Sequence, residues 1–149
     1  DVRDMGRTAT GVRGVRLSKG DMVVGLLVMK RQDNILVVTE NGYGKRSDIN
    51  DYRITKRGGK GVITVKTSDK VGKMMAMMEV VDGDELVIIT TQGMVIRQSV
   101  KAIRVMGRNT QGVRVIRLNE NDKIADIAKV VPEDEEEVVT NGGDNSLDV

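Results

Sequence analysis

The chain has 149 residues, with 24 basic and 22 acidic side chains and neither cysteine nor histidine. Disulfides, thiolate chemistry, zinc sites built on Cys or His, and imidazole acid–base catalysis are therefore excluded. The net charge of +2 conceals an asymmetry. Seven of the acids lie between Glu133 and the C terminus with no base among them, leaving 15 acids against all 24 bases in residues 1–132, a net of +9. A basic body joined to an acidic tail points to a polyanion partner.

In chain order, the first clear signal is a segment that comes back. Met5-Gly6-Arg7-Thr8-Ala9-Thr10-Gly11-Val12-Arg13 returns as Met106-Gly107-Arg108-Asn109-Thr110-Gln111-Gly112-Val113-Arg114. A looser copy, Arg57-Gly58-Gly59-Lys60-Gly61-Val62, lies between them. A period of roughly 50 residues indicates a propeller-like or solenoid array.

Next comes the apolar run Val23–Met29, which matches Met74–Val80 and Ile124–Val130. The four methionines of the second copy, Met74, Met75, Met77 and Met78, read as filler between blades. A second run, Ile35–Gly42, matches Leu86–Gly93, and a short basic strand follows each. Asn41-Gly42 and Gln92-Gly93 sit where hairpin turns are expected, because glycine tolerates positive φ. Both runs are apolar on both faces, which predicts strands buried on both sides. No segment carries a sustained helical stripe. The predicted fold is all-β, with about four antiparallel strands per repeat.

The third copy stops short, so residues 1–132 hold about two and a half repeats and read as part of a longer ring. Residues 133–149 read as an acidic, disordered tail. No apolar run is long enough to cross a membrane, and the residues from Asp1 onward carry no signal-peptide pattern. No membrane partner is expected, and a reducing, cytoplasmic setting is compatible with this composition.

Cations recur at equivalent positions. Arg7, Arg57 and Arg108 form one column, Arg16, Lys66 and Arg117 a second, and Arg46 and Arg97 a third. Rows of cations on a curved rim suit a bent duplex, because phosphate contacts dominate affinity and offset the cost of bending. The competing explanation is that duplication carried these residues along and that they blunt exposed strand edges. Thr55-Lys56-Arg57-Gly58-Gly59-Lys60-Gly61 is the sharpest local motif, since paired glycines let backbone amides approach a phosphate that three cations neutralise. With only Tyr43 and Tyr52 as aromatics, stacking on single strands or RNA is disfavoured. Both tyrosines are expected to pack. No paired carboxylates stand at a recognisable spacing, so an enzyme active site is not expected.

These motifs resemble the C-terminal domain of the bacterial DNA gyrase A protein. Arg57-Gly58-Gly59-Lys60-Gly61 matches the last five positions of that family's Q-R-R-G-G-K-G box, with Thr55 for Gln and Lys56 for the first Arg. Thr39–Arg46 and Gly107–Val113 are similar to its blade motifs, and the resemblance covers residues 3 to 131 or so.

The resemblance implies a β-pinwheel, a propeller-like ring with strands exchanged between blades, here its C-terminal half. It implies a non-catalytic module that bends and wraps double-stranded DNA on a basic rim, serving ATP-dependent negative supercoiling. The implied partners are duplex DNA, the rest of gyrase A, and gyrase B, in the bacterial cytoplasm at the nucleoid. No cofactor is implied in this chain, ATP and Mg being expected elsewhere in the whole enzyme. The implied DNA contacts are Arg7, Arg16, Lys45, Arg46, Lys56, Arg57, Gly58, Gly59, Lys60, Gly61, Lys66, Arg97, Arg108 and Arg117. The alternative is a protein-interaction propeller whose basic edge is regulated by the acidic tail.

Overall fold

A computed structural model of the chain describes residues 3–31 and 33–130, so the expected tail lies outside the described residues. Within them the chain forms seven strands, two single 3-10 turns and no α-helix. The strands are β1 (Asn34–Thr39), β2 (Tyr43–Asp48), β3 (Met74–Val80), β4 (Glu85–Thr90), β5 (Val95–Ser99), β6 (Val113–Arg114) and β7 (Ile124–Val130).

Two antiparallel hairpins repeat the same construction. In β1–β2, Leu36 faces Arg46, and the Gly42 amide closes the turn on the Thr39 carbonyl at 3.1 Å. In β4–β5, Ile88 faces Ile96 and Gly93 donates to Thr90 at 3.0 Å. Gly42 and Gly93 hold φ of +81° and +86°, the conformation for which the sequence places glycine there. After each hairpin a 3-10 turn follows. Asp48 accepts from the Asn50 amide at 2.7 Å and Ser99 from the Lys101 amide at 3.3 Å. The two residues differ in charge but perform the same capping task.

Each hairpin gains a third strand from the chain that follows it. β3 pairs with β1 and β7 with β4, both antiparallel and both with a register shift near the end. β6 then returns to the first sheet and pairs with β2. The sheets are therefore β3-β1-β2-β6 and β5-β4-β7. A strand from the last repeat completes the sheet of the one before it.

The two sheets pack through Leu36, Val38 and Val80 on one side and Leu86, Ile88, Ile124 and Ile127 on the other. The other face of β1 presents Ile35 and Val37 to Val65, Leu27, Met29 and Tyr52. β1 is thus buried on both faces, as its apolar run predicts. β4 is not: Leu86 and Ile88 are buried, whereas Ile89 is exposed. Its sequence is equally apolar, but no described layer covers its second face. Alternate methionines of β3 serve the two cores, Met75 and Met78 the first and Met74 and Met77 the second. Their unbranched thioethers fit this two-sided packing.

One expectation is corrected. Val23–Met29 is not a strand, and its side chains Val23, Val24, Leu26 and Val28 are exposed. Its equivalents β3 and β7 each pair with a hairpin strand, whereas residues 23–29 only lay Leu27 and Met29 on the face of β1 and have no strand paired with their backbone among the described residues. A strand's amides and carbonyls need a partner to form a ladder. For the same reason the second copy of the β6 segment, near Val62, is not a strand.

Buried polar side chains staple these layers. Arg31 grips Asp84 through two bonds, at 3.0 and 2.6 Å, and the Val81 amide donates to the same carboxylate at 3.0 Å. Burial alone would raise the Asp84 pKa, but the Arg31 bonds and the Val81 amide outweigh it and hold the carboxyl below its ordinary value.

Candidate nucleic-acid interface

The box-like loop Arg57–Gly61 does not stand alone. Its backbone pairs in parallel with the first copy of the repeat: Gly58 donates to the Gly14 carbonyl at 2.8 Å, and Arg16 donates to the Gly59 carbonyl at 2.9 Å. This pairing brings the segment carrying Arg13 and Arg16 against the one carrying Lys56, Arg57 and Lys60. All five are exposed, and none has an ion-pair partner among the described residues. A shallow groove of about 530 Å³ runs along Ile54, Thr55, Lys56 and Arg57. Gly58 and Gly61 hold φ of +72° and +84°. Gly58 and Gly61 therefore meet a conformational need, and the Gly58 amide is already bonded internally.

Of the other expected contacts, Arg7, Lys66 and Arg117 are exposed. Arg97 is exposed but paired with Glu85, its Nε 2.5 Å from Oε2. Arg108 is half-buried, and its guanidinium donates to the Asp51 carbonyl at 3.0 Å and the Ile63 carbonyl at 2.8 Å.

Lys45 and Arg46 are a correction. Lys45 has no exposed surface and Arg46 is 5% exposed, so neither side chain lies on a rim. Arg46 donates to the Ile103 carbonyl at 2.7 Å and reaches Asp82 at 2.5 Å. Lys45 donates to the Gly107 carbonyl at 2.8 Å. They lie in β2 between β1 and β6, where a cation persists only with acceptors close by. Arg46 and Arg97 thus share a repeat position but not an environment, because the segment leading into β6 lies along Arg46, with Arg46 donating to the Arg104 carbonyl and accepting from the Met106 amide, while β5 is uncovered among the described residues.

A second basic cluster escaped the sequence reading. Arg114 donates to the Tyr43 hydroxyl at 3.1 Å, and its guanidinium carbon lies 5.6 Å from the ring centroid. The Lys70 ammonium is 5.7 Å from the same ring. The bond from Arg114 and the two cations lower the Tyr43 pKa. The available signal was Arg13, which stands in the first repeat where Arg114 stands in the third.

The model of the DNA gyrase C-terminal domain, a beta-propeller, matches residues 1–29, 33–80 and 84–130. The chain belongs to the DNA gyrase C-terminal domain family. Its three matched spans follow the repeats: the second contains β1 to β3 and the third β4 to β7. The DNA gyrase A protein of Staphylococcus aureus strain MRSA252 is 46% identical over 138 residues. That alignment takes in 91% of this chain and 16% of the relative, so the chain spans about a sixth of the curated relatives it matches. A solved gyrase A C-terminal domain superposes with a TM-score of 0.77 at 30% identity, over 86% of this chain and 44% of the other. The C-terminal domain of DNA topoisomerase IV superposes with a TM-score of 0.76 at 24% identity, over 87% of this chain and 41% of the other. The fold is that of the gyrase A C-terminal pinwheel, and the chain is a C-terminal module of a gyrase-type topoisomerase.

Proposed function

We propose that this chain forms part of a surface on which a gyrase A protein bends and wraps duplex DNA. It would bind phosphates through exposed cations and contribute no catalytic group, serving ATP-dependent negative supercoiling by the whole enzyme. Its partners would be duplex DNA, the rest of gyrase A, and gyrase B, in the bacterial cytoplasm. No described helix is long and apolar enough to cross a membrane.

The observation that carries this reading is the meeting of two repeats at one basic edge, where the backbone of residues 14–16 pairs with that of residues 58 and 59. Separate repeats thereby supply one run of cations that are not engaged with acids. Such contacts carry little sequence information, and each releases counterions on binding.

The test is binding to linear duplex of about 150 base pairs, roughly one persistence length, across a salt series. With about six phosphate contacts the log–log slope is expected near −5, with little dependence on sequence. Reversing charge at Arg57 and Lys60 together should weaken binding about thirty-fold and flatten the slope by about 2. A shallow slope, or a double variant that binds like the parent, would overturn the phosphate-rim reading.

A further inference from the structure

Lys45 is a lysine buried in mid-strand, and its ammonium is fully used. It donates to the carbonyls of Gly107, at 2.8 Å, and Arg108, and to Thr110 Oγ1 at 3.2 Å. An ammonium has three protons, so three acceptors saturate it. All three acceptors belong to the turn that precedes β6. The same turn is tied at its rim. Arg108 bonds to the Asp51 and Ile63 carbonyls, and the Lys66 amide donates to the Thr110 carbonyl at 2.9 Å.

The consequence follows from peptide geometry. In a trans peptide the C=O and the next N–H point in opposite directions. With the Gly107 and Arg108 carbonyls drawn inward, the amides of Arg108 and Asn109 face away from Lys45. Successive outward amides make a small anion-binding concavity, and Asn109 is exposed. This turn occupies the repeat position of the Arg57 loop. We propose that Lys45 is the positioning residue of a phosphate-binding turn at Gly107–Thr110, holding the carbonyls in so that the amides of Arg108 and Asn109 face a DNA phosphate. Arg108 then acts by anchoring the turn, because its guanidinium is already bonded. The proposal rests on the DNA-binding reading and adds a neutral, backbone contact to it.

The hairpin itself does not require a cation at this place. Ile96 stands at the matching position of the second hairpin. The ammonium is held against an opposing tendency. Burial, and then the charge of Arg108, lower the Lys45 pKa to about 8, with Asp51 the facing carboxylate that resists the shift. On the β1 side its partner in register is the apolar Val37.

The test uses the whole chain and compares the parent, Lys45→Met and Lys45→Arg. Duplex affinity is measured at fixed salt between pH 7 and 9. Amide hydrogen exchange at residues 107–112 is followed without DNA, as protection relative to the free peptide rate. The parent is expected to lose about tenfold in affinity across pH 8, and the turn to lose protection over the same range. Lys45→Met should bind about tenfold more weakly at pH 7 and show no such step. Lys45→Arg, charged throughout, should bind like the parent at pH 7 and keep its affinity at pH 9. Should the guanidinium prove too large for the site, the parent and Lys45→Met curves decide alone. A parent with flat affinity and flat protection would overturn the proposal, as would a Met variant that binds like the parent. If the parent binds no duplex at any salt, the phosphate role falls with the DNA reading. A pH-dependent protection step would then still establish Lys45 as what holds the turn.

Discussion

Replacing Gly112 with valine is expected to cost about 4 kcal/mol of stability, whereas the same change at Gly61 should cost only about 1 to 2. Gly112, Gly61 and Gly11 hold nearly the same φ, at +80°, +84° and +88°. A side chain at any of them pays for a left-handed conformation. They differ in what a Cβ would meet. At Gly11 and Gly61 nothing lies within 4 Å, but at Gly112 the Gly44 carbonyl oxygen would be 2.6 Å away. That oxygen belongs to β2, which pairs with β6 through Gly44 and Val113, so relief requires the two strands to part. Denaturant midpoints of Gly11→Val, Gly61→Val and Gly112→Val separate the two contributions. Equal losses at all three would show that the approach of β6 to β2 is unimportant.

Removing the Asp84 carboxylate is expected to be the other large effect, about 3 kcal/mol for Asp84→Ala. The substitution leaves the Val81 amide without its acceptor and takes both carboxylate bonds from the Arg31 guanidinium, which keeps the Glu79 carbonyl at 3.3 Å and the Glu79 carboxylate at 3.8 Å. Arg31 keeps some solvent contact, its side chain being 32% exposed, which holds the cost below that of a fully buried orphan charge. The pH dependence has a definite sign. The Asp84 pKa is lowered in the fold, so its contribution is complete above the unfolded value near 4. It fades as pH falls through the folded value below that. Melting temperatures between pH 7 and pH 2.5 should fall more steeply for the parent than for Asp84→Asn. Parallel curves would mean that the clamp does not titrate as described.

Much of the architecture was legible because strand apolarity and turn glycines are local signals. The run Ile35–Val38 and the turn at Asn41-Gly42 specify a buried hairpin, and the hairpin is there. The run Val23–Met29 carries the same signal and forms no strand, because a strand exists only beside a partner, and partners are not written in the run itself. The site shows the same division. The cations of the Arg57 loop are exposed, as the glycine-flanked motif implies. Lys45 and Arg46 looked like rim residues because the sequence does not show that residues 103–110, on the way into β6, return to cover them. Nothing local to Asp84 announces its clamp, since its partner Arg31 lies 53 positions earlier. Residues whose environment is set by distant chain were the ones misjudged.

The return of β6 to the first sheet also governs how the chain must be made. Tyr43 pairs with Arg114, so about 70 residues must leave the ribosome after β2 before its outer edge can be covered. At about 5–20 residues per second, that leaves the edge of the first hairpin open for roughly 4 to 14 seconds. An open strand edge recruits other strands. During synthesis, Lys45 and Arg46 are then exposed charges on that edge, and they become interior residues only when the later repeat arrives. The same two cations would oppose premature pairing in the nascent chain and lock the sheet in the finished one.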